Sequence, residues 1–270
     1  MNKLYLSGLY IYPIKSLGGI SLATSHIEER GLQHDRRWML TDEEGMFITQ
    51  RKHHELALLQ VSIENDELIV FHKADPHKKI SFPLEQTIGE GISVKIWDDL
   101  SEGLEVSESV SKWFSDFMQM KVRLVKMPAK EKRKVDPRYA PNDEIVSFAD
   151  GYPCLIIGEA SLNHLNQKLS VSVPMDRFRP NLVFSGGEAH VEDRFNTFCL
   201  NDILFSAVKP CARCVLITID QQTGIKGQEP LKTLANYRRV NNKIMFGQNL
   251  IHQGKGMISV GDELNVLDWK

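Results

Sequence analysis

The sequence lacks the long apolar run that a membrane-spanning helix needs. Such a helix takes about 20 consecutive apolar residues, and no uninterrupted run in these 270 residues approaches that length. The N-terminal stretch Met1–Pro13 is too short and too interrupted for a signal peptide, and Lys15 follows it closely. We therefore expect a cytoplasmic protein that does not enter a membrane.

The chain also lacks an excess of charge of either sign. It carries 33 Lys and Arg against 35 Asp and Glu, which gives a net charge of −2. Proteins that bind nucleic acid through its phosphates need a positive field, so we expect no nucleic-acid partner. A local group of cations is still able to bind a small anion.

Cysteine is scarce, with four residues at positions 154, 199, 211 and 214. In a cytoplasmic chain this predicts reduced thiols and no disulfide framework. Two of the four form Cys211-Ala212-Arg213-Cys214, and Lys209 lies close by in the sequence. Neighbouring cations favour the thiolate, which is both the nucleophile and the soft metal ligand. The apolar run Val215–Asp220 predicts a strand that begins at this cysteine pair.

Spacing alone leaves the chemistry of the cysteine pair open. Two buried structural cysteines, a thiol redox pair and part of a zinc site are the alternatives. The flanking sequence has no βαβ pattern of a thioredoxin-like pair. A structural zinc site needs four ligands, and the two missing ones would have to come from Cys154, Cys199 or scattered histidines.

Strand-like segments outnumber helical ones and do not alternate with them, which predicts a mainly β fold of barrel type with a few packing helices. The turn Asn65-Asp66 predicts a hairpin. Helices are predicted near residues 110–118, 159–169 and 230–237, the first with an apolar face and a cap at Ser107 or Ser109. We place a domain boundary just before Lys121. The basic, proline-bounded segment Pro128–Arg138 is either a solvated loop or a loop that contacts a substrate or partner.

Three further segments carry groups suited to an anion. In an extended Arg177–Asn181 segment the side chains of Arg177, Arg179 and Asn181 share one face, where arginine suits phosphate and the amide suits a heterocycle edge. A surface ion-pair strand is the alternative. Lys15 and Ser16 stand in a glycine-containing turn after the first strand, though not in a Walker loop. Residues 34–38 are either a cation cluster or an Arg–Asp turn beside a core tryptophan.

Taken together, these segments resemble one family, the MOSC-domain proteins with an N-terminal MOSC β-barrel domain, and are similar to its amidoxime-reducing components. The matching segments are Tyr12-Pro13-Ile14-Lys15-Ser16, Asp35-Arg36-Arg37-Trp38, Phe178-Arg179-Pro180-Asn181, Cys211-Ala212-Arg213-Cys214 with Thr218-Ile219-Asp220, Phe246-Gly247-Gln248-Asn249 and Val260-Gly261-Asp262. They span nearly the whole chain in a fixed order.

The resemblance implies two β-barrel-like domains, residues 1–120 (MOSC N-terminal) and 121–270 (MOSC), with a molybdenum cofactor of the molybdopterin type between them. It implies that Cys214 is the molybdenum ligand and the catalytic residue. The positions that the resemblance assigns to cofactor binding are Lys15, Ser16, Arg36, Asp150, Gly151, Tyr152, Arg179, Asn181, Ala212 and Arg213.

The implied function is an oxidoreductase that reduces small N-hydroxylated (N-oxygenated) compounds. The sequence has no four-cysteine iron–sulfur spacing, so a separate electron-transfer protein is the expected partner. The alternative is a carrier of the cofactor or of sulfur that has no turnover of its own.

Overall fold

A computed structural model describes residues 3–270, and its fold is mainly β, as predicted. The strands are β1 Leu4–Ile11, β2 Ile20–Leu22, β3 Thr24–Glu28, β4 Gly31–Leu32, β5 Trp38–Thr41, β6 Leu59–Glu64, β7 Glu67–His72, β8 Asp75–Pro83, β9 Ile88–Ile96, β10 Asp99–Glu105, β11 Arg123–Lys126, β12 Cys154–Gly158, β13 Leu182–Ser185, β14 Phe195–Leu200, β15 Ile203–Arg213, β16 Arg239–Val240, β17 Lys243–Gln253, β18 Gly256–Ser259 and β19 Glu263–Trp269. The helices are α1 Glu108–Met118, α2 Glu159–Asn166 and α3 Leu231–Tyr237. Within residues 3–270, no helix is both long and apolar enough to cross a membrane.

Seven strands close into a barrel in the order β12, β13, β1, β19, β14, β15, β17, and β17 pairs back with β12. Only the β12–β13 pair in this ring is parallel. Phenylalanine side chains fill much of its core, among them Phe184, Phe198 and Phe205. Closure leaves no open edge along this ring, so the strand ends are fixed and can hold loops in defined positions.

The first half of the chain supplies the smaller sheets. Strands β5, β11, β10 and β9 form one sheet, and β6, β7 and β8 form another. Helix α1 packs Val110, Phe114 and Met118 into the core between them. The predicted cap is confirmed, because the Ser107 hydroxyl accepts a hydrogen bond from the Val110 N–H at 3.2 Å.

The predicted hairpin is confirmed at Asn65-Asp66, which joins β6 to β7. Both residues have positive φ, 50° and 61°. Two consecutive left-handed residues are what a two-residue turn of type I′ requires, and Asn and Asp tolerate that conformation better than most residues.

The two halves share strands across the predicted boundary at residue 120. Strand β1 is hydrogen-bonded between β13 and β19 of the barrel. Conversely, β11 lies after the boundary but pairs with β5 and β10. Strand β18 also pairs with β3 in a small sheet that both halves share. The division into residues 1–120 and 121–270 stays a prediction about domains.

The strand predicted over Val215–Asp220 is wrong. Strand β15 continues through irregular pairing as far as Arg213, and Val215–Thr218 forms a single turn of 3₁₀ helix. Ile217 is buried within this turn, and Ile219 after it forms only an isolated bridge with Lys226. Packing of the apolar side chains thus overrides their β preference. The cysteine pair therefore lies where a strand ends.

Candidate active site

A cavity of about 870 Å³, including its open mouth, lies where the ends of several barrel strands meet the loops of the first half. All eleven predicted site residues line it: Lys15, Ser16, Arg36, Asp150, Gly151, Tyr152, Arg179, Asn181, Ala212, Arg213 and Cys214. They come from segments as far apart in sequence as residues 15 and 214. The structure thus brings these residues together, while their roles in binding stay predictions.

Left-handed turns direct several of these side chains. Ser16, Arg36 and Arg179 have φ values of 74°, 48° and 53°. Such values are uncommon for residues with a Cβ and cluster at functional sites. Each turn is held by backbone hydrogen bonds, for example from the Arg36 N–H to the Tyr12 carbonyl at 3.0 Å. Gly151 borders open space, since a Cβ added there would meet no atom within 4 Å.

Cys214 carries the exposed thiol of the four cysteines. Cys154 is fully buried and Cys211 half-buried, and burial raises the pKa of both thiols. A thiol with a raised pKa is a poor nucleophile and a poor metal ligand. Cys214 is therefore the cysteine in this cavity that is best placed to hold a metal.

The cation that contacts the Cys214 sulfur is Arg51, whose Nη1 lies 3.6 Å from Sγ. The sequence neighbours Lys209 and Arg213 make other contacts. Lys209 Nζ lies 4.5 Å from the centre of the Tyr139 ring, and Arg213 donates to the Phe246 and Phe178 carbonyls at 2.8 and 2.9 Å. Sequence reasoning missed Arg51 because nothing in the local pattern links it to a cysteine 163 positions away.

The zinc alternative finds no support in the structure. Across residues 3–270, no group of three or more His, Cys, Asp or Glu side chains is arranged to hold a metal ion. A structural zinc site would need four such ligands around one point. Two functional interpretations of the cysteine pair remain: binding of a metal that is part of a larger cofactor, and thiol chemistry.

Five cationic side chains but a single carboxylate line the cavity, although the whole chain is slightly acidic. We call Lys15, Arg36 and Arg51 the amino-terminal wall and Arg179 and Arg213 the carboxy-terminal wall. Burying a charge without a counter-charge is costly. The two walls meet this cost in different ways.

Carboxylates neutralise the amino-terminal wall. Arg36 Nη1 lies 2.7 Å from Asp35 Oδ2. Burial, the largest effect, lowers the pKa of Arg36. The charges of Asp35 and Tyr12 and the hydrogen bond to Asp35 together outweigh it, and the net shift is upward. Lys15 Nζ donates to Asp150 Oδ1 at 2.6 Å and to the Phe148 carbonyl at 2.7 Å.

Burial lowers the pKa of Lys15 to about 8, and the charge of Asp150 opposes this shift without cancelling it. For Asp150 itself, burial opposes ionisation. The charges of Lys15 and Arg51 outweigh that effect and hold the pKa of Asp150 well below its usual range. This pair is thus ionised at neutral pH.

The carboxy-terminal wall has no such neutralisation. Arg179 is only 8% exposed, yet its guanidinium has no hydrogen-bond or ion-pair partner in the described part of the chain. Its guanidinium carbon lies 4.2 Å from the centre of the Tyr12 ring. Burial lowers the pKa of Arg179 to about 10. In Arg213, Nη2 is buried without a partner. Unpaired buried cations of this kind fit an anionic ligand.

The expectation that Arg177 and Arg179 share one face is wrong. Met175–Phe178 is a turn of 3₁₀ helix, so the two side chains diverge. Arg177 donates to the Ile217 carbonyl at 2.9 Å and to Asp220 at 3.1 Å. It is a structural tie, and Arg179 alone of the pair faces the cavity.

Asn181 lines the cavity with its amide already bound to protein. Its Oδ1 accepts from Arg36 Nη1 at 3.1 Å and from the Leu155 N–H at 3.2 Å, and its Nδ2 donates to the Tyr10 carbonyl at 3.1 Å. These contacts favour a role in holding Arg36 over the predicted reading of a heterocycle edge.

Arg133 shows that the segment Pro128–Arg138 is not simply a solvated loop. Its side chain is only 4% exposed and pairs with Asp99 at 2.7 Å. It also donates to the carbonyls of Ser147, Ala149 and Asp150 at 2.8, 2.6 and 3.1 Å. This arginine therefore fixes the backbone that carries Asp150, a function that no sequence pattern indicated.

Comparison with known proteins agrees with this architecture. The sequence model of the family MOSC N-terminal beta barrel domain matches residues 3–121, and that of the MOSC domain matches residues 143–265. Mitochondrial amidoxime reducing component 2 of Rattus norvegicus is 32% identical over 95% of this chain and 81% of its own length. Mitochondrial amidoxime-reducing component 1 of Homo sapiens is 30% identical over 96% and 82%. Molybdenum cofactor sulfurase of Arabidopsis thaliana is 29% identical over 97% of this chain but only 35% of its own length.

Proposed function

The chain belongs to the family of proteins that join a MOSC N-terminal β-barrel domain to a MOSC domain, and we propose that it is a molybdenum-cofactor-dependent oxidoreductase. The proposed reaction is reduction of small N-hydroxylated compounds. The amidoxime-reducing components among the relatives support this substrate class by their names.

The observation that carries the proposal is the cavity itself. It places the exposed Cys214 thiol among five cations. A thiolate is the soft ligand that molybdenum favours, and a phosphate-bearing cofactor matches buried guanidinium groups. Because Arg179 and Arg213 keep donors that no residue of 3–270 satisfies, the residues present fit such a group.

Each residue then has a distinct task. Cys214 would ligate the metal, while Arg179, Arg213, Arg36 and Lys15 would hold the anionic part of the cofactor. The turns at Ser16 and at 150–152, together with Ala212, would also contact the cofactor, and Asn181 would keep Arg36 in place. When bound, the cofactor supplies removal of an oxygen atom from nitrogen; the protein binds, orients and excludes water.

Turnover needs electrons, and we propose that a separate electron-transfer protein delivers them. We retain the cytoplasmic location, the absence of a nucleic-acid partner and the absence of a membrane association as predictions.

The test is metal content followed by turnover. The protein is purified from a host that makes the cofactor, and molybdenum is measured per mole of wild type, Cys214→Ala and Cys199→Ala, the last being a matched control away from the cavity. Only Cys214→Ala should lose molybdenum. Reduction of benzamidoxime with reduced methyl viologen as donor should follow the metal. Equal molybdenum in all three proteins would reject Cys214 as the ligand.

The match to molybdenum cofactor sulfurase favours one second candidate, a carrier of the cofactor or of sulfur without turnover of its own. In that case Cys214 would hold the cofactor or a persulfide. Full molybdenum loading without reduction of any amidoxime or hydroxylamine would support the carrier and contradict the reductase.

A further inference from the structure

Arg51 lines the cavity next to the proposed metal ligand. Its Nη1 lies 3.6 Å from Cys214 Sγ and 3.5 Å from Asp150 Oδ2. It comes from the loop after β5, so it reaches the cysteine from the other half of the chain. No assigned cofactor contact includes it.

Most of the hydrogen-bonding capacity of Arg51 is unused. Arginine has five N–H donors in a planar fork. Within residues 3–270 the polar contacts of this side chain involve Nη1 alone, and both are long. Its Nε and Nη2 have no protein partner and remain accessible to solvent. These donors are available to an oxygen atom that enters the cavity beside the sulfur.

Trp97 fixes the plane of this guanidinium. The Arg51 guanidinium carbon lies 4.3 Å from the centre of the Trp97 ring, a stacking distance for a cation on an aromatic face. The indole N–H donates to Asp150 Oδ1 at 3.3 Å, and the ring packs edge-on against Phe47 with centroids 5.1 Å apart.

Trp97 is unusual in its backbone as well. It sits at the tip of the β9–β10 hairpin with φ of 56°, and it is 46% exposed. A bulky residue with positive φ is strained, and strain of this kind is kept where the surroundings and function require it. Apart from its edge contact with Phe47, the ring contributes little to the core. Its other contacts are the stack on Arg51 and the hydrogen bond to Asp150.

We propose that Arg51 binds and orients the oxygen atom of the N-hydroxylated substrate beside Cys214, and that Trp97 is the positioning residue for Arg51, a role that rests on the function proposed above. The stack holds the guanidinium plane, and Asp150 anchors one edge of it. The free edge faces the cavity and selects a ligand that presents an oxygen acceptor.

The first experiment needs neither cofactor nor turnover. Cofactor-free protein is alkylated at one pH with iodoacetate or iodoacetamide, which are nearly equal in size, and modification of Cys214 is followed by peptide mass spectrometry. The ratio of the two rates cancels any change in thiol ionisation, because that change affects both reagents equally. A guanidinium beside the sulfur binds the carboxylate of iodoacetate but not the neutral amide of iodoacetamide. The rate with iodoacetate divided by the rate with iodoacetamide should therefore fall about fivefold or more in Arg51→Gln.

Matched variants test whether Arg51, positioned by Trp97, causes the preference for iodoacetate. Arg51→Lys should restore part of the ratio, and Trp97→Ala should lower it with Arg51 still present, whereas Trp97→Phe should keep most of it. Lys209→Gln removes a cation near the same cavity that packs on Tyr139 instead of Cys214, and it should leave the ratio unchanged. An equal fall in Lys209→Gln would mean that any cation near the cavity attracts the anionic reagent, and it would overturn the proposal.

The second experiment separates this proposal from the function it rests on. In cofactor-loaded protein, Arg51→Gln should keep its molybdenum but lose about tenfold or more in kcat/KM for benzamidoxime, mainly through KM. Adding Trp97→Ala to Arg51→Gln should cause no further loss. Wild-type turnover with an unchanged KM in Arg51→Gln would overturn the role of Arg51 and leave the reductase intact. Absence of wild-type turnover would overturn the reductase, while the alkylation ratio would still measure the placement of Arg51.

Discussion

The two walls of the cavity carry the same kind of side chain in opposite electrostatic states. In the amino-terminal wall Arg36 is paired with Asp35 and Lys15 with Asp150. In the carboxy-terminal wall Arg179 has no partner in residues 3–270, and Arg213 has only backbone carbonyls and one unsatisfied nitrogen. Lys15 and Arg36 are neutralised within the protein, whereas Arg179 and Arg213 require an anion. Arg51 belongs to the amino-terminal wall but keeps free donors at its Nε and Nη2.

This difference separates stability from binding. Carboxylate pairs within the protein stabilise the fold whether or not a ligand is bound, and breaking one leaves a buried charge. An unpaired buried cation costs folding free energy until a ligand anion offsets it. We therefore expect substitutions in the amino-terminal wall to change mainly stability and those in the carboxy-terminal wall to change mainly affinity.

The largest expected effect is loss of stability in Asp35→Asn. Asp35 is 1% exposed and accepts from both Arg36 and the Tyr12 N–H. The amide can still accept from Tyr12, but Arg36 would lose its counter-charge, and breaking a buried pair costs about 3–5 kcal/mol. Urea unfolding measures the change. Asp136→Asn, in an exposed pair with Arg138, should cost far less, because solvent screens that pair. A similarly small cost for Asp35→Asn would contradict the structural role of this wall.

The opposite pattern is expected for Arg179→Ala. Removing this cation should change the free energy of unfolding of cofactor-free protein little, because the lost stack on Tyr12 is offset by the removal of a buried charge without a counter-charge. A charged hydrogen bond contributes about 1.5–3 kcal/mol, so affinity for an anion should fall about 10- to 100-fold. Molybdenum occupancy and calorimetric titration with pyrophosphate both report this change.

Arg177→Ala is the natural control, two residues away. Arg177 ties Ile217, Asp220 and Glu229 together, so its loss should lower stability and spare occupancy per folded molecule. If Arg179→Ala lowers stability and leaves occupancy intact, the two walls do not differ in the way described.

How far the sequence predicts this arrangement depends on the kind of contact. Hairpin and helix signals are local, and so the Asn65-Asp66 turn and helix α1 were predicted correctly. The cavity residues were assembled only through family resemblance, because Lys15, Arg36, Arg179 and Cys214 meet through barrel closure. Arg51, Trp97 and Arg133 were missed, since their partners are distant in sequence and their own segments look like ordinary polar turns.

A smaller effect is expected from pH, and it acts on the amino-terminal wall alone. The pKa of Lys15 is lowered to about 8, while that of Arg179 is about 10. Affinity for pyrophosphate should therefore fall by a few fold as pH rises through about 8. Arg179, which is still charged there, should account for the affinity that remains. Lys15→Met should show weaker binding without this step. If affinity in Lys15→Met falls by the same factor near pH 8, another group is responsible for the pH dependence.

The sign for stability is the reverse of that for binding. The folded-state pKa of Lys15 lies below its unfolded value of 10.5, so the unfolded state binds more protons between about pH 8 and 10.5. Over that window the contribution of Lys15 to stability rises with pH. Asp150 has a depressed pKa, so its contribution is present at neutral pH and is lost only in acid as pH falls toward the folded value. Unfolding of wild type and Lys15→Met at pH 7 and 10 tests the first sign.

The smallest expected effect lies where the two walls touch. The ring of Tyr12 is stacked by Arg36 at 4.3 Å and by Arg179 at 4.2 Å, and its hydroxyl donates to the Pro180 carbonyl at 3.1 Å. Tyr12→Phe keeps both stacks and loses one hydrogen bond, so stability should fall by about 1 kcal/mol and pyrophosphate affinity should not change.

Tyr12→Leu removes the aromatic face, and with it a cation–π contribution of about 0.5–2 kcal/mol per arginine. Because Asp35 still holds Arg36, the affinity lost in Tyr12→Leu should come from Arg179, and it should disappear when Arg179→Ala is already present. An additive loss in the double variant would mean that the ring supports both walls equally, and the division between a complete wall and an open one would fail at this residue.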